Sequence, residues 1–141
     1  LSLLMIGNGS IKKAVEEKGI KILGRRFKLI QAPHNEMPIY YNKAKVFTLP
    51  TREEPFGIVF LEAMACNIPV VAHNYYQTTK WIVDDAGICC NCDNVNEYAT
   101  ALKNAINSYY DERPLNRAAD FDIDKILPKW KGVLDQVTTK R

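Results

Sequence analysis

The stretch Glu54-Pro55-Phe56-Gly57-Ile58-Val59-Phe60-Leu61-Glu62-Ala63-Met64-Ala65-Cys66-Asn67-Ile68-Pro69-Val70-Val71-Ala72 decides how the chain reads. Gly57 to Cys66 carries a helix pattern, with the strong formers Leu61, Glu62, Ala63, Met64 and Ala65. Pro55 and Gly57 mark its entry, because proline suits the start of a helix and not its interior. Asn67 falls just past the end, where a left-handed residue is wanted. Ile68 to Ala72 is apolar throughout and reads as a short buried strand.

Glu62 stands out as the only charged side chain between Pro55 and His73. A carboxylate is almost never fully buried unless it is paired or hydrogen-bonded, so Glu62 should face a cleft or a polar partner. The plainer alternative is a buried helix whose one charge reaches the surface. Glu54 sits just before the helix. Two carboxylates therefore flank a helix N-terminus, which attracts anions through its free N–H groups and its dipole. Carboxylates repel phosphate but accept hydrogen bonds from sugar hydroxyls. Together these features suggest a ligand that holds both, a nucleotide sugar.

The size, 141 residues, fits one domain over 1–141. Apolar residues at 47% and charged residues at 25% are ordinary for a soluble globular protein. A net charge of +3 is too mild to argue for nucleic acid as a partner. There is no apolar run long enough for a membrane span and no signal-peptide pattern. Leu1 already lies in a strand-like run, which suggests a part of something longer. Cys66, Cys89, Cys90 and Cys92 lack CxxC spacing, and His34 and His73 lie in unrelated segments. They read as reduced thiols of a cytoplasmic protein rather than as a metal cluster.

Strands and helices alternate along the chain. Leu1–Ile6 is a strand candidate, turned by Gly7-Asn8-Gly9, with Ser10 as the expected cap of the next helix. Ile20–Leu23 fits helix or strand. Phe27–Gln31 reads as a strand, followed by a turn at Pro33 and a short helix through Tyr41. Val46–Leu49 is the next strand, ahead of the central helix and Ile68–Ala72. His73–Lys80 reads as a polar and aromatic loop, Thr79–Val83 as a short helix and Gly87–Cys90 as the last strand. Val95–Tyr109 is amphipathic, with Tyr98, Leu102, Ala105 and Ile106 on one face. Pro114–Ala119 adds a turn or two. Asp122 or Asp124 caps a last helix over about 123–137. This alternation implies an α/β fold with a parallel sheet covered on both faces. Ligands on such sheets bind at the carboxyl ends of the strands, so Gly7–Ser10, Ala32–Asn35, Pro50–Gly57 and His73–Thr78 are expected to line one cleft.

Glu54, seven residues, then Glu62, with Phe56-Gly57 between them and Glu62-Ala63-Met64-Ala65-Cys66 following, resembles the signature of retaining GT-B glycosyltransferases of family 4. Leu49-Pro50-Thr51 before it and Pro69-Val70-Val71-Ala72 after it strengthen the likeness, which runs over nearly the whole chain. The resemblance implies the C-terminal, donor-binding half of a GT-B fold: a Rossmann-like, doubly wound parallel sheet. It implies that Glu62 holds the ribose hydroxyls and that Glu54, as the catalytic residue, faces the transferred sugar. The backbone of Phe56, Gly57, Ile58 and Val59 then approaches the sugar and diphosphate, and Gln31, Ala32 and Pro33 flank the base. The Gly7-Asn8-Gly9 loop supplies Gly7 and Gly9 at the rim of the donor cleft. Glu53 adjoins Glu54, but the spacing favours Glu54.

The family needs no bound metal, so a UDP- or GDP-sugar is expected as substrate and no cofactor. The opening segment matches the second strand of the family's domain, so its first strand, and the Arg and Lys clamp on the diphosphate, are expected to be missing. Leu1–Ile6 should then not sit directly beside Val46–Leu49. The acceptor would be bound by an N-terminal domain outside the chain, which is also where any peripheral membrane association would reside. The chain alone is expected to be inactive. Asn67 stands where the family usually has glycine, and Tyr75-Tyr76-Gln77-Thr78-Thr79-Lys80 replaces a loop that often carries Gly-Gly. The competing reading is a non-catalytic module that binds a nucleotide sugar or phosphate; Glu54 argues against it, since ribose binding alone does not need that residue. A dehydrogenase-type domain fits less well, because the third glycine of the dinucleotide fingerprint is absent.

Overall fold

The computed structural model describes residues 1–138. The described residues fall into two compact units, Leu1–Met37 and the segment from Pro38 onward.

In the first unit, β1 (Leu3–Ile6) and β2 (Phe27–Ile30) run parallel, with Leu3 opposite Phe27 and Ile6 opposite Ile30. Between them, α1 (Lys12–Leu23) packs on β2. Gly19 makes this close approach possible, since a Cβ there would collide with the Phe27 ring. The ambiguous Ile20–Leu23 is the last turn of α1. Ser10 does not cap this helix. The capping position is Ile11, which offers no side-chain bond, and the Lys12 N–H instead finds the Gly9 carbonyl at 3.1 Å. A backbone turn thus satisfies a donor that the hydroxyl was expected to serve.

In the second unit, α2 (Met37–Tyr41), β3 (Phe47–Leu49), α3 (Ile58–Ala65), β4 (Val70–His73), α4 (Gln77–Val83) and β5 (Gly87–Cys90) are followed by α5 (Val95–Asn107), α6 (Arg113–Ala119) and α7 (Ile123–Thr138). The strands form one parallel sheet in the order β3-β4-β5, with Leu49 opposite Ala72 and Ala72 opposite Cys89. Every residue of β4 is buried, which explains its unbroken apolar run. Phe60 and Met64 from α3 and Ile82 and Val83 from α4 are fully buried core residues, while Ala101 and Ala105 of α5 cluster with Val71 and Cys90. The Thr48 hydroxyl donates to the Val71 carbonyl at 2.8 Å and accepts from the Tyr98 hydroxyl at 2.8 Å, which ties α5 to the sheet.

Among the described residues β1 pairs with β2, within the first unit. The strand expected over Ile68–Ala72 is shifted toward the C-terminus. Pro69 has no N–H to give to a ladder, and its carbonyl takes the Phe47 N–H at 2.9 Å just ahead of β4. His73 consequently ends the strand and is 5% exposed, where a loop position was expected. Likewise α4 starts at Gln77, two residues ahead of the expected start at Thr79. Asn67 takes the expected left-handed conformation, with φ of 58°. Asp122, not Asp124, caps α7, its Oδ1 accepting the Asp124 N–H at 2.9 Å. Along α7, Ile123, Leu127, Trp130, Leu134 and Val137 are exposed.

Candidate active site

The loop from Pro50 to Gly57 follows β3, at the carboxyl edge of the sheet, where parallel sheets bind ligands. Its last residue, Gly57, is the N-cap of α3 and has φ of 85°. A Cβ at this position would strike the Phe60 ring and lie 3.2 Å from Cγ of Glu54. Both the backbone sign and the space therefore require glycine. The consequence is local. The chain folds back so tightly that the Glu54 side chain rests against the start of α3. Glu54 is half-buried, whereas Glu53 is exposed. The Phe60 N–H bonds the Gly57 carbonyl at 2.9 Å. The earlier first-turn donors of Ile58 and Val59 have no intrahelical acceptors, and the helix dipole adds partial positive charge there. The arrangement can hold an anionic group on backbone N–H groups and hydroxyls on a carboxylate.

Glu62 lies one turn further along α3 and is half-buried. The Tyr41 hydroxyl donates to its Oε2 at 2.9 Å. This is the kind of polar partner that a lone carboxylate in an apolar helix calls for. Tyr41 is 4% exposed, and its ring meets Phe47 edge-on at 5.4 Å, which in turn meets Phe60 at 6.3 Å. Burial, then the hydrogen bond to Glu62, push the Tyr41 hydroxyl well above the usual tyrosine range, so it stays a donor at neutral pH. Sequence reading missed Tyr41, which lies 21 residues before its partner.

Phe56 is exposed, and its ring lies edge-on to Phe121 at 6.1 Å. Phe121 also meets Trp81 at 5.2 Å, and the Arg117 guanidinium stands 4.8 Å from the centre of the Phe121 ring. Arg117 donates to the carbonyls of Trp81 and Ile82, the latter at 3.1 Å. Trp81 thus belongs to a packed cluster that backs the Phe56 turn.

The remaining candidates lie in the first unit, at the carboxyl ends of its strands. Gly7 and Gly9 follow β1 and are exposed. A Cβ at either would meet nothing within 4 Å, so packing within the protein does not demand glycine there. The Gly7 N–H bonds the Ile30 carbonyl at 3.0 Å. Gln31 and Pro33 are exposed and Ala32 is half-buried, just after β2. All four cysteines are free thiols, with Sγ of Cys90 and Cys92 3.8 Å apart. Burial pushes Cys89 up to about 11 and Cys92 up to about 12, so both are protonated at neutral pH.

The parallel sheets flanked by helices, with a glycine-capped helix and two glutamates at a strand end, define an α/β fold. The family model for glycosyl transferases group 1 matches residues 1–120, and the chain belongs to that family. An uncharacterized glycosyltransferase of Haemophilus influenzae is 28% identical, over 94% of this chain and 40% of the relative. A phosphatidyl-myo-inositol mannosyltransferase of Propionibacterium freudenreichii is 29% identical, over 92% of the chain and 33% of the relative. The chain therefore spans between a third and two fifths of the length of these curated relatives. Among solved structures, the GtfA/B complex superposes with a TM-score of 0.80 at 12% identity, over 97% of this chain and 30% of that one. The pneumococcal O-GlcNAc transferase GtfA, solved with UDP and GlcNAc, gives 0.74 at 19% identity, over 98% of this chain and 30% of that one. The fold they share is that of GT-B glycosyltransferases, as the motif led one to expect. Among the described residues, no helix is long and apolar enough to cross a membrane.

Proposed function

We propose that the chain is the donor-binding half of a retaining glycosyltransferase, which moves a sugar from a nucleotide-sugar donor to a hydroxyl acceptor. Glu62 binds the ribose hydroxyls, and Glu54 faces the transferred sugar. The Phe56–Val59 backbone holds the sugar and diphosphate end through the first N–H groups of α3. Gln31, Ala32 and Pro33 flank the base, with Gly7 and Gly9 at the rim. The acceptor is bound by a separate N-terminal domain, and the reaction runs in the cytoplasm without a bound metal. Departure of the donor phosphate leaves an oxygen able to take the acceptor proton on the same face, and the protein contributes positioning and charge stabilisation. The UDP found with the structurally similar pneumococcal GtfA supports a nucleotide-sugar donor for this fold.

One observation carries this reading. The left-handed Gly57 turn sets Glu54 against the N-terminus of α3, one turn before a Glu62 held by a buried tyrosine. Calorimetric titration of UDP, GDP, ADP and NAD into the wild type and Glu62→Ala tests it. Hydrogen bonds to a charged group are worth about 1.5–3 kcal/mol, so the variant should bind its nucleoside diphosphate about 10- to 150-fold more weakly. Equal affinity in the two proteins would remove Glu62 from the site.

A further inference from the structure

A second polar constellation lies at the carboxyl edge of the β3-β4-β5 sheet, and the glutamate motif does not account for it. The Asp93 Oδ2 atom accepts hydrogen bonds from Arg52 Nε at 2.9 Å and His73 Nε2 at 3.0 Å, and Arg52 Nη2 forms an ion pair with it at 2.7 Å. The other ring nitrogen of His73, Nδ1, accepts the Tyr75 N–H at 3.1 Å. That bond fixes the tautomer, because an Nδ1 that accepts a backbone proton leaves the Nε2 hydrogen to point at Asp93. Arg52 belongs to the loop after β3, His73 is the last residue of β4, and Asp93 lies in the loop after β5. One carboxylate oxygen therefore joins the carboxyl ends of all three strands of this sheet.

The pieces of the network differ in exposure. The His73 side chain is 4% exposed and anchored in the core, whereas those of Arg52 and Asp93 are 62% and 48% exposed. Ion pairs so open to water add little to global stability. A network that contributes little to stability yet joins two loops to a strand end serves geometry. Its outermost member, Arg52, lies two residues before Glu54, and the Glu53 N–H between them is taken by Thr51 Oγ1 at 3.1 Å. Arg52, followed by the hydrogen bond from His73, holds the Asp93 carboxyl below the usual carboxylate range, and Asp93 raises Arg52 in turn. The charged pair is therefore intact at neutral pH.

We infer that Arg52, Asp93 and His73 form a positioning network that fixes the Glu54 loop against the ends of β4 and β5, and so sets where the Glu54 carboxylate meets the transferred sugar. The three residues act through Glu54 and do not touch the reacting atoms. The inference rests on the proposed role of Glu54. A misplacement of about 1 Å at a reacting centre can cost about a hundredfold in rate, so a loop held by a polar network has a large effect available to it.

The test uses the complete enzyme, with Arg52→Ala, Asp93→Ala, Arg52→Lys and Glu54→Gln, and follows transfer kinetics, nucleoside diphosphate affinity, melting temperature and amide exchange. Arg52→Ala and Asp93→Ala should each lower kcat about ten- to a hundredfold while Kd for the nucleoside diphosphate and the melting temperature stay close to wild type. Arg52→Lys, which keeps one charge on Asp93, should recover part of that loss. In both alanine variants, amide exchange should rise over residues 51–57 and not across the core strands. A double variant that combines Arg52→Ala with Asp93→Ala should be no worse than the poorer single one, because the two residues act as a unit. Wild-type kcat in both alanine variants, beside an impaired Glu54→Gln, overturns the network and leaves the role of Glu54 standing. Full activity in Glu54→Gln overturns that role and the inference with it. A general rise in exchange with a large fall in melting temperature makes the network structural and also overturns the inference.

Discussion

Replacing Tyr41 with phenylalanine isolates the support beneath Glu62. The change removes one hydroxyl and leaves the ring in its edge contacts with Phe47, so it creates no cavity of the kind that dominates large-to-small core variants. What is lost is the 2.9 Å bond to Glu62 Oε2. A hydrogen bond to a charged group contributes about 1.5–3 kcal/mol when its partner is left unsatisfied. Glu62 is only half-buried, so water replaces much of the lost bond and the cost in folding stability falls to about 1 kcal/mol. The larger effect is on ligand binding. A carboxylate freed from Tyr41 must be ordered again when ribose binds, and ordering one flexible side chain costs about 0.5–1.5 kcal/mol. Kd for the nucleoside diphosphate should therefore rise about 2- to 12-fold. This is less than the loss in Glu62→Ala, which forfeits the ribose bonds themselves. Calorimetry on both single variants and the double variant measures the ranking. On the Glu62→Ala background the tyrosine change should add nothing, because it acts only through the carboxylate. A full additional loss in the double variant would refute the reasoning and place Tyr41 itself on the ligand.

The same tyrosine gives a pH signature. Its pKa is raised in the folded state, so its contribution is fully present below the ordinary tyrosine value of about 10 and is lost as pH rises above it. Denaturant midpoints between about pH 9 and pH 12 should fall more steeply in the wild type than in Tyr41→Phe. Gly57→Ala should destabilise the protein by about 1–3 kcal/mol or more through its positive φ and the clash with Phe60, and should displace Glu54. Chemical denaturation and transfer assays report the two effects, and an alanine variant with normal stability and kcat would contradict the tight turn. Transfer by the complete enzyme should persist in the presence of a chelator, since the proposed chemistry rests on positioning and N–H donors; abolition by EDTA with rescue by one added cation would count against it.

Local features were legible in the sequence, and long-range ones were not. The central helix, its glycine entry and the left-handed Asn67 at its exit all follow from neighbouring residues, and all appear in the structure. The register of β4 did not follow, because it depends on which strand receives the bond that Pro69 cannot make. Ser10 looked like a cap, yet backbone closure through Gly9 satisfied the same donor. The spacing of Glu54 and Glu62 was visible, but their supports were not. Tyr41 lies 21 residues from Glu62, Asp93 lies 41 residues from Arg52, and nothing in the local pattern of either segment signals the pairing. His73 read as a polar loop residue, because a histidine after an apolar run gives no hint that its two nitrogens are already engaged.

The two glutamates are held by different physics, and the difference suits the roles proposed for them. Glu62 is fastened from below by a tyrosine whose ring lies in the aromatic core, so its position is fixed by packing as rigid as the core itself. A residue that binds ribose, which does not change during transfer, gains from such fixity because little ordering remains to be done on binding. Among the described residues Glu54 has no comparable anchor in the core. It lies in a loop, against a glycine that leaves no room for another side chain, and its neighbour Arg52 is tied to a carboxylate at the far edge of the sheet. Charge develops at the sugar during transfer, and a carboxylate that faces it must be held close without being neutralised by a partner of its own. Holding the loop by its backbone turn and by an adjacent ion pair leaves the carboxylate itself available. Substitutions on the core side should therefore act mainly on nucleotide affinity and those on the loop side mainly on kcat, and that split separates a transferase from a module that only binds.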